Sequence, residues 1–315
     1  MKRGFIGWDP RQLPRAALEA RLEELQRTLA GLGVHALVAF SDVWRSNDVR
    51  YLSNYMPYWN RALTVIPRGE KPILLCALSP RVYPWIRSVT LHETILPSPQ
   101  LIAQLVRLCA ERGWSRVGVL DQEGLPYDLY RQLVAEKLDI VDVPRHRVRP
   151  QPTASEITMH RHAARLARAV LESEITALAV GLTDRELTGR LERALRRAGA
   201  EDLFVWVSAG HTPPVPACGT VVDAYSSVTL ALEYCGHWVK LSRNVAGMTS
   251  PLPPDRSATV HLETLSRACG WEGIGETDDG GNGAVISLQV EIPADGKRLY
   301  YGDTCVREGG GVEIL

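Results

Sequence analysis

The stretch VTLALEYCGHWVKLSRNV, residues 228–245, decides the fold of the second half of the chain. Its two arms, Val228–Tyr234 and His237–Val245, flank Cys235-Gly236, a pattern that predicts a β-hairpin with a two-residue turn. Strand alternation places six side chains on one face of that hairpin, namely Thr229, Ala231, Glu233, Trp238, Lys240 and Ser242. This face therefore carries two opposite charges, Glu233 and Lys240, which are close enough to meet across the strands.

The segments around the hairpin extend it into a mixed domain. A long helix is predicted at 156–178 after Ser155, and a second runs from Thr183 to Arg197 with Glu186 completing a capping box. The remaining elements are a strand at 203–207, a short helix at 255–269, and closing strands at 286–292 and 301–307.

The first half of the chain alternates helices with strands, which indicates a layered α/β domain. Helices are predicted at 16–33, 98–112 and 126–137, strands at 35–40, 62–66, 72–76, 116–120 and 138–143, and an irregular aromatic segment at 50–58. An Arg- and Pro-rich stretch, residues 144–152, marks the boundary. We therefore predict one domain over 1–148 and a second over 149–315.

The composition excludes several classes of protein. The 315 residues contain 36 Lys and Arg against 36 Asp and Glu, so there is no surplus of positive charge to neutralise nucleic-acid or lipid phosphates. No run approaches the ~20 apolar residues of a membrane span. The six cysteines include no Cys-x-x-Cys pair, which favours reduced thiols in a cytoplasmic protein.

Five segments in order resemble the creatinase and aminopeptidase P family. They are VRYLSNYMPYWNRALTVIPRGEKPILL (49–75), ASEITMHRHAARLARAVLE (154–172), GLTDRELTGRLERALRRAGAED (181–202), LALEYCGHWVKLSRNVAG (230–247) and the two closing strands. The resemblance implies an α/β fold, with a creatinase-like N-terminal domain followed by a shortened pita-bread C-terminal domain. It also implies a homodimer in which the N-domain of one subunit completes the site of its partner.

The metal ligands of the family are missing from this sequence. Family metallopeptidases use two Asp, one His and two Glu, and the resemblance places four of these positions at Thr229, Lys240, Gln289 and Gly302. The resemblance implies that the histidine segment is deleted, because about 40 residues separate Arg243 from Gly283 and the family has roughly twice that length there. Because a dication needs several anionic or imidazole ligands, we expect neither metal nor other cofactor. The ammonium of Lys240 would occupy the volume and charge of the missing ion.

Creatinase is a metal-free member of the family, but its catalytic pattern is also incomplete here. The resemblance places its histidine near Ala217 and its two glutamates at Ser242 and Gln289, so creatine hydrolysis is not supported. Trp59 and Arg61 do match the aromatic–arginine pair that grips the substrate carboxylate in the partner's site. A guanidinium suits that role because it donates two parallel hydrogen bonds.

Other candidate residues have two interpretations each. His211 is either a relocated acid–base group or an ordinary loop histidine. Cys218 is either a nucleophile with a lowered pKa or a small buried thiol. Glu233 and Lys240 form either a site or an exposed cross-strand ion pair of little energetic value. Tyr58 and Trp59 belong to an aromatic cluster that fits a pocket wall or a dimer interface.

Two functions of different classes follow, with a third ranked below them. The first is a metal-independent, non-peptidase enzyme that acts on a small carboxylate- or amine-bearing, amino-acid-derived substrate by acid–base chemistry. Its predicted catalytic residues are Lys240, Glu233 and His211, and its predicted substrate-binding residues are Arg61, Trp59, Tyr58, Trp238, His237 and Gln289. The second is a catalytically inactive homologue that serves as a binding or scaffolding homodimer. The third is an Xaa-Pro peptidase.

Overall fold

The computed structural model describes residues 7–149, 152–176, 181–209, 212–245, 259–264, 283–294, 296–308 and 311–315. Its internal contacts divide the chain into two compact units, Lys2–Pro150 and Gln151–Leu315. Among the described helices, none has the length and apolar character needed to span a bilayer.

The first domain is built from a mixed six-stranded sheet with helices on both faces. Within residues 7–149 the elements are α1 (Arg15–Leu32), β1 (Ala36–Ser41), α2 (Asn47–Ser53), β2 (Ala62–Pro67), β3 (Ile73–Cys76), α3 (Tyr83–Val89), β4 (Thr94–Pro97), α4 (Leu101–Arg112), β5 (Arg116–Leu120), α5 (Tyr127–Ala135), β6 (Asp139–Val143) and α6 (Arg145–Val148). The strand order is β4-β3-β2-β1-β5-β6, and β2 runs antiparallel to both of its neighbours.

Two apolar layers cover this sheet. On one face, α1, α2 and α3 bury a layer around Leu25, Leu52 and Ile86. On the other face, α4 and α5 pack Leu105 and Leu133 against the strands. Burial of side chains such as these supplies most of the free energy that holds the layers together.

The second domain places two helices on one face of an antiparallel sheet. Its described elements are α7 (Ala154–Thr176), α8 (Asp184–Arg197), β7 (Asp202–Ser208), β8 (Ser227–Tyr234), β9 (His237–Asn244), β10 (Thr259–Thr264), β11 (Val285–Ala294), β12 (Lys297–Glu308) and β13 (Gly311–Ile314). The strand order is β10-β11-β12-β9-β8-β7, and β13 pairs with β12. Leu171 and Leu191 of the helices pack on Leu230 and Leu241 of the sheet. The opposite face of β8 and β9 is left for the site.

Most predicted elements are confirmed, and three local predictions are wrong. The segment 50–58 is not wholly irregular, because α2 extends to Ser53 and packs Val49 and Leu52 into the core. Thr153 rather than Ser155 caps α7, since its hydroxyl and backbone amide bond reciprocally with Glu156. Where the structure describes the predicted helix at 255–269, it is the strand β10, whose apolar and polar residues alternate with a period of two.

Candidate functional site

The site is a row of directly opposed residues that crosses the sheet of the second domain. Thr229 on β8 pairs with Ser242 on β9, Ser242 pairs with Gly302 on β12, and Gly302 pairs with Gln289 on β11. Directly opposed residues of antiparallel strands share one face of the sheet. Lys240 lies two residues from Ser242 on β9 and therefore on that same face. The structure thus brings together all four residues that the family resemblance places at metal-ligand positions.

A chain of hydrogen bonds closes this row. The hydroxyls of Thr229 and Ser242 lie 2.7 Å apart, and Ser242 donates to the carboxamide oxygen of Gln289. The Nε2 group of Gln289 donates in turn to the Ser287 hydroxyl at 2.8 Å. All four side chains are buried. Each buried polar group therefore has a partner within the row, as buried polar groups require.

Gly302 makes room for the Gln289 carboxamide. A Cβ atom at position 302 would overlap the amide group of Gln289, so this side chain lies directly over the glycine. One neutral side chain thus fills the space between two positions at which the family resemblance expects glutamates. The row contains no carboxylate from either position.

Lys240 is held by its backbone at the seam between β9 and β12. The Thr304 hydroxyl accepts a hydrogen bond from the Lys240 N–H at 2.9 Å and donates to the Lys240 carbonyl at 3.0 Å. This hydroxyl stands where a backbone ladder would otherwise continue from the Gly302–Ser242 pair. The threonine therefore fixes the position of Lys240 without engaging its ammonium.

Glu233 and Lys240 are both buried on the site face. Their exposed fractions are 0% and 8%. Glu233 pairs with Trp238, and Lys240 pairs with Ala231, so the two charged residues are diagonal neighbours within the reach of long side chains. An exposed ion pair on an open sheet, one of the two sequence-based interpretations, does not match this burial. Two buried charges of opposite sign are best tolerated side by side.

An aromatic wall borders the charged pair. Trp238 stacks on Phe204 of β7 with ring centroids 5.7 Å apart and an interplanar angle of 20°. Both rings pack against Ala231 in a small apolar cluster of their own. An apolar wall of this kind excludes water, and charges interact more strongly where water is excluded.

These residues do not fit a divalent metal. Thr229 and Gln289 offer only neutral groups that already bond to Ser242, Gly302 has no side chain, and Lys240 is a cation. Within the part of the chain that the structure describes, no three His, Cys, Asp or Glu side chains are grouped closely enough to hold a metal ion.

Comparison with solved structures shows what this architecture is similar to. The chain matches an Xaa-Pro dipeptidase from Bacillus anthracis with a TM-score of 0.71 and 16% identity, over 94% of this chain and 97% of that one. It matches a prolidase from Pyrococcus furiosus with a TM-score of 0.69 and 15% identity, over 93% and 98%. The chain has the pita-bread fold. No protein-family model matches the sequence, and no curated protein matches it either.

His237, one of the two histidines predicted for the site, does not lie beside Lys240. In the pita-bread domain His237 lies on the helix-facing side of β9, where its ring meets His160 of α7 edge-on at 5.0 Å. Its Nδ1 lies 2.9 Å from the Cys235 carbonyl oxygen. His211 lies outside the described residues, so its role stays a prediction.

The Asp184 side chain holds the loop before β8 through hydrogen bonds. The sequence did not predict this role of Asp184. The Asp184 carboxylate accepts hydrogen bonds from the backbone N–H groups of Cys218 at 3.0 Å and Gly219 at 2.7 Å. Burial alone would raise the pKa of this carboxyl, but the N–H donors of residues 218–220 outweigh it and hold the pKa below its ordinary value. Cys218 is exposed, and its Sγ lies 3.2 Å from the Thr220 hydroxyl. The interpretation of Cys218 as a small buried thiol is therefore wrong.

The predicted substrate-binding residues of the first domain lie at its surface. Trp59 is 70% exposed, whereas Tyr58 is half-buried and meets Trp85 edge-on at 5.8 Å. Arg61 donates from Nη1 to Asp128 Oδ2 at 2.6 Å. Arg61 thus already has a carboxylate partner within its own domain.

Two site residues, Ser287 and Thr304, were also missed. Each lies two positions from a residue that the resemblance picked out, Gln289 or Gly302, on the same strand. The period-two rule used for the hairpin would have found both if it had been applied to the closing strands.

Proposed function

We propose that the protein is a metal-independent enzyme that acts on a small carboxylate- or amine-bearing, amino-acid-derived molecule by acid–base chemistry. The observation that carries this proposal is the closed row of neutral side chains, with a buried lysine beside it. The charge that a dication supplies in metallopeptidases is here supplied by the Lys240 ammonium.

Each charged residue has a distinct role in this proposal. The Lys240 ammonium stabilises negative charge that develops on the substrate, and the Glu233 carboxylate accepts a proton. The Trp238–Phe204 wall supports both roles, because electrostatic interactions are stronger where water is excluded. Gln289 enters as the group that closes the row rather than as a ligand of the substrate.

The proposal includes a homodimer in which the N-terminal domain of one subunit completes the partner's site through Trp59, while Arg61 stays paired with Asp128 of its own domain. The exposure of Trp59 supports this arrangement, since a large exposed aromatic side chain is typical of an interface or a binding surface. The proposal also places the enzyme in the cytoplasm, because the spacing of its cysteines favours reduced thiols.

Substrate profiling in the presence of a chelator tests the proposal. The full chain is incubated with EDTA and a mixture of N-acyl, N-carbamoyl and amidino amino acids, and products are followed by mass spectrometry. We expect turnover with well under one metal ion per chain, abolished in Lys240→Ala. Lys297→Ala is the matched control, because Lys297 is a lysine of the same domain that pairs with Asp223 at 3.0 Å. Full activity in Lys240→Ala, or activity only with added manganese, would contradict the proposal.

A second candidate function is a catalytically inactive binding homodimer. It is favoured by the closed hydrogen-bond chain, because each of its side chains already has a protein partner. Absence of turnover in the profiling experiment, together with a dimeric mass by light scattering, would favour it. Xaa-Pro peptidase activity ranks below both and requires stimulation by manganese, cobalt or zinc.

A further inference from the structure

The first domain contains a cleft of its own, formed entirely within residues 60–136. Its volume is about 730 Å³, within the range of small-molecule sites. The cleft is lined by Asn60 and Arg61 just before β2, by Ala77 and Ser98, and by the side of α5 from Asp128 to Ala135. The cleft has an apolar part as well, which includes Leu101 and Leu129.

The cleft lies at an edge of the sheet that commonly binds ligands. Ala77 follows β3 and Ser98 follows β4, two parallel strands whose carboxyl ends meet here. In open α/β sheets, ligands bind in the crevice outside the carboxyl ends of the strands. Helix α4 also begins at this edge, with its positive dipole end beside the cleft.

One ion pair joins the two walls of the cleft. Arg61 and Asp128 are 67 residues apart in sequence, and their charged groups meet at 2.6 Å. Both side chains stay accessible, with exposed fractions of 43% and 54%. A solvent-exposed pair of this kind contributes little to stability, so a ligand that satisfies both charges can replace it.

We propose that this cleft binds a small zwitterion of the amino-acid class. The ligand carboxylate takes the Arg61 guanidinium, and the ligand ammonium takes the Asp128 carboxylate. Insertion of the zwitterion exchanges one ion pair for two and leaves no charge unpaired. The apolar residues Leu101 and Leu129 favour an apolar ligand side chain. This inference concerns the first domain alone and does not depend on catalysis by the second.

A set of three related compounds tests the need for both charges. Leucine carries both groups, 4-methylpentanoate lacks the ammonium, and 3-methylbutylamine lacks the carboxylate. Titrations of the ¹⁵N-labelled full chain are followed by NMR. We expect leucine to shift the backbone amides of Arg61, Leu101 and Asp128 and to bind at least about tenfold more tightly than either singly charged compound. No response to leucine at millimolar concentration, or equal binding of all three compounds, would overturn the proposal.

Variants locate the binding and separate it from general destabilisation. We expect Arg61→Gln and Asp128→Asn each to weaken leucine binding about tenfold, while Asp128→Asn still binds 4-methylpentanoate. Arg112→Gln is the matched control, because Arg112 pairs with Glu70 at similar exposures of 42% and 47%. Lys240→Ala should leave leucine binding unchanged. Unchanged binding in both Arg61→Gln and Asp128→Asn, or loss of binding in Lys240→Ala, would assign the ligand to another place.

Discussion

At the scale of single residues, the site is defined by the Gln289 side chain, which also occupies the space above Gly302. The Gln289 carboxamide lies over Gly302 and bonds to Ser242 and Ser287 on either side. Neither a second carboxylate nor a larger residue at 302 is compatible with that arrangement. The neutral side chain at 289 and the glycine at 302 are therefore two parts of one structural arrangement.

Gly302→Ala tests this coupling. The new methyl group would displace the buried amide and break its two hydrogen bonds, so we expect a loss of about 1–3 kcal/mol in the free energy of unfolding. In a Gln289→Ala background the same change should cost much less, which urea unfolding of the single and double variants would reveal as non-additivity. Gly189→Ala is the control, because a Cβ at that position in α8 meets nothing within 4 Å. Additive effects at 289 and 302 would contradict the coupling.

At the scale of elements, the seam between β9 and β12 positions the lysine. These strands share the Gly302–Ser242 pair, and on one side of it Thr304 of β12 bonds to the Lys240 backbone of β9. On the other side, the Ser227 hydroxyl of β8 accepts from the Tyr300 N–H of β12 at 3.1 Å. Small hydroxyl side chains thus connect strands that backbone bonds alone do not.

Thr304→Val tests the seam at constant side-chain volume. The change leaves the N–H and C=O groups of Lys240 without their hydroxyl partner. We therefore expect the free energy of unfolding to fall by about 1–3 kcal/mol and the Lys240 amide to exchange its hydrogen faster. The control is Thr188→Val, because among the described residues the Thr188 hydroxyl has no partner. That variant should change stability by no more than about 0.5 kcal/mol. Equal effects of the two variants would refute the role of the Thr304 hydroxyl.

The elements that the sequence predicted best were those with a strong local signal. The hairpin, the Thr183–Glu186 capping box and the end of α1 at Gly33, with φ of 65°, are confirmed because each depends on neighbours in sequence. Strand β10 was missed because a six-residue segment has too few periods to separate strand from helix. Local patterns do not encode contacts between segments that are separated in sequence. Examples are the hydrogen bonds of Asp184 to residues 218–220 and the packing of Gln289 over Gly302.

At the scale of the whole molecule, the chain carries separate hydrophobic cores for its two domains. Leu29 is fully buried in the first domain and Leu191 in the second. Domains with their own cores commonly open as separate cooperative units. The contacts that stabilise one domain are therefore largely independent of those that stabilise the other.

Leu29→Ala and Leu191→Ala form a reciprocal test of this independence. Each variant truncates a fully buried side chain, so we expect the free energy of unfolding of the domain that contains it to fall by about 2–5 kcal/mol. Hydrogen exchange followed by mass spectrometry should show the faster exchange confined to residues 7–149 for the first variant and to the second domain for the other. Exchange that increases across both domains in either variant would show that they unfold together.

The two-residue turn between β8 and β9 has a consequence for how this protein can change. Cys235 and Gly236 have φ of 48° and 81°, the left-handed pair that a tight hairpin needs. Insertion of a single codon here would slip β9 by one position and turn its side chains over. The imidazole of His237 would then take the place of Trp238 in the aromatic wall. Turn length, independently of any residue identity, thus selects which functional groups the sheet presents.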